Sequence, residues 1–203
     1  SLPLNTEAFI LRKQPAADAF QGFTAFSGEH GLLRILQRLP RKSAPTGVPL
    51  DLFDEAALAL ESSNQGRTWF VKEARLVTRH PSIGASYESL LRASSLAELV
   101  ARNPVQEDSR RGVAELLRSA LAAFAAGGRA DIIHFKALFR FARDEGYPLR
   151  QQWFPTLPAA DRAEVAGLLN RPLAAQTAAP AEVARLERRL AEYLRGHTEI
   201  LVD

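Results

Sequence analysis

The chain has 203 residues, of which 46% are apolar and 24% charged, a balance that supports a buried core in one large domain or two small ones. Its formal net charge of +3 is only mildly basic and does not by itself specify a nucleic-acid partner. Cysteine is absent, which excludes disulfides, thiolate catalysis and every cysteine-based zinc site.

No run approaches the roughly eighteen uninterrupted apolar residues of a membrane span. The segment Ser1-Leu2-Pro3-Leu4-Asn5-Thr6-Glu7 lacks the basic and apolar blocks of a signal peptide. The expectation is a cytoplasmic protein with no membrane partner. Arginine outnumbers lysine, and alanine and leucine are abundant, a bias that codon usage explains without any ligand. What matters is therefore where basic residues gather on one surface.

The hydrophobic period divides the chain near residue 80, predicting a domain over 1–80 and another over 81–203. Up to Arg79 the pattern is strand-like, with aromatic and β-branched residues in short runs broken by Pro, Gly, Ser and Asn. The first run is Glu7 to Lys13, stopped by Pro15. The second is Phe20 to Phe26, in which Phe20, Gly22, Thr24 and Phe26 alternate with their neighbours. Ser27-Gly28-Glu29-His30-Gly31 supplies a hairpin turn whose glycines tolerate positive φ. The third strand, Leu32 to Arg38, runs into a basic loop, Pro40-Arg41-Lys42-Ser43-Ala44-Pro45-Thr46-Gly47. Two more strand-like stretches lie around Pro49 to Leu60 and Arg67 to Thr78, with Asn64-Gln65-Gly66 as the turn between them. Five short strands in about seventy residues suit a small closed barrel such as the OB-fold.

Beyond His80-Pro81 the period becomes helical. Leu90, Leu91, Leu96, Leu99 and Val100 share a face that ends near Asn103-Pro104. The next helix starts near Asp108 or Ser109, carries Val113 to Phe124 and stops at Gly127-Gly128. A third, Ala130 to Glu145, is apolar around much of its circumference and is expected at the centre of a bundle, ending at Gly146-Tyr147-Pro148. Shorter patterns predict helices over Ala159 to Asn170 and Ala181 to Arg195, joined by a linker from Arg171 to Pro180. The predicted class is α+β, a five-stranded OB-fold-like barrel followed by an α-helical bundle.

Several features, in their order, resemble the RecO family of recombination mediators. They are the Phe9-Ile10-Leu11-Arg12 strand, the hairpin at Glu29-His30-Gly31 and the basic Arg41-Lys42-Ser43 loop. The Phe135-Lys136-Ala137-Leu138-Phe139-Arg140-Phe141 helix closing on Gly146-Tyr147-Pro148 and the final Tyr193-Leu194-Arg195-Gly196-His197 segment are similar to the family's helical half. Many relatives carry a four-cysteine zinc site after the Gly-Tyr-x-Pro stretch, where this chain has Arg150-Gln151-Gln152-Trp153-Phe154. The family often has glycine before the basic loop, where Leu39-Pro40 stands here. The resemblance is thus to a divergent, zinc-free member. It implies binding to single- and double-stranded DNA, strand annealing, and recombinase loading with RecR and single-stranded DNA-binding protein as partners. It also implies a cytoplasmic, nucleoid-associated location and no covalent chemistry.

Binding of that kind works by charge neutralisation along the backbone, with aromatic residues stacking on exposed bases. The expected DNA contacts are Arg12, Lys13, Arg34, Arg38, Arg41 and Lys42, since the first strand, third strand and following loop are barrel neighbours. Arg34 and Arg38 share strand parity and point to one face. Arg67, Lys72, Arg75 and Arg79 form a weaker second set. At each position the alternative is ordinary solvated charge.

Other groupings read as structure. His30, His80, His134 and His197 lack metal-ligand spacing; His134 is expected to pack or cap within its helix, and His30 to sit in the turn. Asp51, Asp54 and Glu55 read as strand-edge and loop charge rather than a nuclease-like site. Phosphate-loop, dinucleotide and serine-nucleophile motifs are absent, so no cofactor and no enzyme activity are expected. Trp153 and Phe154 are expected to close the helical core, with an exposed partner-binding site as the alternative. The competing function is an adaptor without DNA binding, whose helical half docks an acidic, apolar partner tail at Arg188, Arg189 and Arg195.

Overall fold

The computed structural model of the chain describes residues 1–40 and 47–203. Five strands come first: β1 (Leu2–Lys13), β2 (Phe20–Ser27), β3 (Gly31–Arg38), β4 (Glu55–Ser62) and β5 (Trp69–Thr78). They close into a barrel in the order β1-β2-β3-β5-β4. All pairings are antiparallel except β3 with β5, which run parallel over only Ile35↔Trp69 and Leu36↔Phe70. This is the strand order of an OB-fold. β1 starts earlier than its apolar run suggests because Leu2 to Thr6 pair with Ser62 to Leu58 of β4.

Alternation explains the barrel core. Ala8 and Ile10 from β1, Phe23 and Ala25 from β2, Leu33 and Ile35 from β3, Leu58 and Leu60 from β4 and Trp69 from β5 fill it, with Leu50 from the connection before β4. Ser27 ties the β2–β3 turn. Its buried hydroxyl lies 2.7 Å from Thr6 Oγ1 and accepts the Glu29 and His30 amides at 3.2 and 3.1 Å. Gly31 completes the turn at φ +73°.

Six helices follow: α1 (Tyr87–Arg102), α2 (Arg110–Ala126), α3 (Ala130–Asp144), α4 (Leu149–Gln152), α5 (Ala159–Asn170) and α6 (Pro180–His197). Gly127 and Gly128, at φ +81° and +124°, end α2 where the sequence places a stop. Among the described residues no helix is long and apolar enough to cross a membrane. The chain divides into two compact units, Ser1–Pro81 with Val100–Leu117, and Ser82–Leu99 with Arg118–Asp203. In the first, Ala114 Cβ stands 3.2 Å from where a Gly28 Cβ would be, and Arg110 Nη1 donates to Glu29 O at 3.5 Å, so the start of α2 packs on the β2–β3 turn.

In the second unit α3 is the central helix, burying ten residues that include Ile132, Phe135, Leu138 and Phe141. Trp153 is 2% exposed and packs among Phe139, Phe154 and Tyr193, with ring centroids 5.9 to 6.4 Å away. His134 is also buried, but its partner lies outside its own helix: Nδ1 is 2.6 Å from Glu187 Oε1 of α6. Of the two expectations for His134, packing holds and a cap within α3 does not, because the ring turns toward the helix packed beside it.

Candidate nucleic-acid interface

The barrel's outer face divides in two. Near the β2–β3 turn, Phe9 and Phe26 are cross-strand partners and both are buried. At the opposite end the same face is open. There Arg12 pairs in register with Thr24, and Thr24 with Arg34, so two arginines flank one threonine on three adjacent strands. A bulge between Ile10 and Arg12 makes this alignment, resetting the parity of β1 after its core residues. Arg34 and Arg38 are both exposed and four residues apart, which places them about 13 Å apart on one side of β3.

The next positions outward are Gln14, Gly22 and Leu36. Gln14 N donates to Gly22 O at 2.9 Å, and its side-chain amide donates to Thr24 Oγ1 at 3.0 Å. Phe20 then pairs with Arg38, whose guanidinium lies 5.0 Å from the ring centroid. Phe20 also meets Phe70 of β5 edge to face, centroids 5.4 Å apart. Beyond Leu36↔Phe70 the β3–β5 ladder ends. Gln37 turns to the segment before β4 instead, donating to Val48 O and accepting from Leu50 N, both at 2.9 Å. The divergence leaves an open groove of about 400 Å³ bordered by Phe20, Arg38, Phe70 and Lys72.

The expected contacts therefore separate. Arg12, Arg34 and Arg38 share one outer face. Lys13 has the opposite parity, paired with inward-facing Phe23 at the barrel's end, and lies 3.7 Å from Asp51 in an exposed ion pair. Arg41 and Lys42 lie outside the described residues. In the second set, Arg67 and Arg75 are exposed and Lys72 lies 3.5 Å from Glu61. Arg79 is bound to Asp54 by two hydrogen bonds, which raise its pKa above the ordinary arginine value. Asp54 and Glu55 are buried rather than loop charge, because the chain folds back there and Asp54 accepts from Asp51 N at 2.8 Å.

On α6, Arg188 and Arg195 are exposed and seven residues apart, two turns along one side of the helix. Arg189 lies 3.7 Å from Asp161 and belongs with that acid. No group of three or more His, Asp or Glu residues is placed to hold a metal ion among the described residues.

The residues missed from sequence are the two aromatics, Phe20 and Phe70. A signal was there for Phe70: Trp69 and Phe70 are adjacent in a strand, so when one ring enters the core the other must face out. A scan against protein-family models and a search of characterised proteins return no match to this chain.

Proposed function

We propose that this protein is a DNA-binding mediator of recombination and repair that works without covalent chemistry. In this reading the barrel binds single- and double-stranded DNA and assists strand annealing. The helical residues then meet partners, RecR and single-stranded DNA-binding protein, for recombinase loading, as the RecO resemblance implies. The observation that carries the DNA part is the Arg12–Thr24–Arg34 row continued by Arg38, which sets half-buried Arg12 and exposed Arg34 and Arg38 on one barrel face. Such a row neutralises successive phosphates and releases their counterions, while a barrel of this strand order offers β2 and β3 to extended strands. The short β3–β5 ladder beside it provides a groove in place of a flat sheet.

The test is DNA binding by fluorescence anisotropy, with annealing of complementary strands followed in parallel. Wild type is compared with an Arg12→Ala, Arg34→Ala, Arg38→Ala variant. Binding and annealing that both fall in the folded variant are the expected result. If the folded wild type binds no DNA even at low salt, the barrel has no nucleic-acid role and the adaptor function replaces this one.

One observation favours that second reading enough to keep it: Arg188 and Arg195 are exposed on one side of α6, a spacing that suits the carboxylates of an acidic tail.

A further inference from the structure

The barrel core is complete without Phe20 and Phe70. Phe23 and Trp69 are the aromatics of β2 and β5 that enter it, and the cluster closes on Leu50, Leu60 and Ile35. Phe20 and Phe70 instead sit half-buried on the outside, in contact with each other at the point where β3 and β5 part. Large apolar rings on a barrel exterior, beside a groove and under a guanidinium, have a geometry that binds flat, weakly hydrated groups.

The surrounding charge specifies what else that group carries. Arg38 lies over the Phe20 ring, so a phosphate attached to the stacked group meets that guanidinium, while Lys72 on the groove's β5 border is paired with Glu61. Glu73 lies on the β5 side and disfavours phosphate there, which directs the sugar-phosphate backbone toward Arg38 and onward to Arg34.

We infer that Phe20 and Phe70 form a stacking subsite for an unpaired nucleobase, held beside Arg38, so that the barrel prefers single strands to duplex. The inference rests on the nucleic-acid function proposed above and adds its substrate class. In a duplex both faces of each base are covered by neighbours, so the rings gain nothing from it. In a single strand a base turns out into the groove, and stacking on aromatic side chains strengthens binding about tenfold per base or more. The guanidinium of Arg38 is displaced from the ring or becomes part of the stack; in either arrangement cation and ring act at one nucleotide.

The experiment uses the full chain and three labelled probes: a short oligothymidylate, an abasic strand of the same length, and a duplex of that length. Wild type is expected to bind oligothymidylate about tenfold more tightly than the abasic strand. Phe20→Leu with Phe70→Leu keeps apolar bulk over the seam and is expected to erase that difference, so that base-bearing and abasic strands bind alike. A second variant, Phe70→Trp, keeps an aromatic face and reports stacking directly, with its added fluorescence quenched by oligothymidylate and not by the abasic strand. Equal wild-type affinity for the base-bearing and abasic strands, or binding to Phe70→Trp without quenching, overturns the subsite and leaves the cationic face in place. Absence of binding to all three probes at low salt overturns both.

Discussion

Asp54 and Arg79 form a two-point ion pair in which the carboxylate is 1% exposed and the guanidinium 38%. Nε and Nη2 donate to the two carboxylate oxygens at 2.9 and 2.7 Å, and Nη2 also donates to Pro49 O at 2.8 Å. The pair pins the connection before β4 to the end of β5. Among the described residues, Arg79→Ala leaves the buried carboxylate with the Asp51 amide as its remaining hydrogen-bond donor. The expected loss is about 2 kcal/mol, below the ~3–5 kcal/mol of a fully buried pair because water reaches the guanidinium. Urea unfolding measures it, and DNA affinity of the folded variant is expected to be unchanged. A large affinity loss without destabilisation would return Arg79 to the binding surface.

Gly31 closes the β2–β3 turn at φ +73°, and a Cβ there would stand 2.9 Å from Arg110 Nε. An alanine must occupy the left-handed region and push that side chain aside. Gly31→Ala is therefore expected to cost about 1–2 kcal/mol. Gly84, which has open space around it and no positive φ, is the control and is expected to tolerate alanine with little change. Thermal unfolding of the two variants distinguishes a conformational requirement at Gly31 from a general sensitivity to loop substitution.

The barrel and the helices were legible because their signals are local. Alternation in Phe20 to Phe26 and Leu32 to Arg38 marks strands whose inward residues do form the core, and Gly127-Gly128 does end a helix. The closure was less legible, since the parallel β3–β5 pairing joins residues about thirty-four apart and spans only two pairs. The candidate face was partly legible. Arg34 and Arg38 follow from strand parity, but Arg12 reaches that face through a bulge that no composition signal announces. Lys13, adjacent in sequence, takes the other parity for the same reason. Charge identity was the least legible feature. Asp54 and Arg79 are twenty-five residues apart, and only the fold converts two apparent surface charges into one anchor with a buried carboxylate.

Asp161, Glu182 and Arg185 form the corresponding polar anchor among the helical residues. Arg185 Nη2 donates to Asp161 Oδ1 at 2.7 Å and to Glu182 Oε2 at 2.9 Å. Hydrogen bonding to Arg185 holds both carboxyls below their ordinary values of 3.8 and 4.5, outweighing the desolvation that opposes it. A folded-state pKa below the unfolded one contributes stability that is full above the unfolded value and lost as pH falls through the folded value. The contribution is therefore intact at neutral pH and fades as acid goes below about pH 4. Wild type is expected to lose more thermal stability between about pH 6 and about pH 3 than an Asp161→Asn, Glu182→Gln variant. Parallel pH profiles for the two proteins would show that these carboxyls titrate alike in the folded and unfolded chains.

Salt dependence separates a barrel interface from one on the helices. Each phosphate neutralised on a single strand contributes about 0.7 to the slope of log affinity against log salt. If Arg12, Arg34 and Arg38 each neutralise one, their joint replacement by alanine flattens the slope by about 2. An Arg188→Ala, Arg195→Ala variant removes two charges against three but leaves the barrel face intact, and its slope is expected to match wild type. Anisotropy titrations of one oligonucleotide at several salt concentrations measure both slopes. Flattening in the helix variant and not in the barrel variant would move the contact surface to α6. Equal flattening in both would mean that the protein attracts DNA through its overall charge and that the outer face of β1, β2 and β3 holds no register of its own.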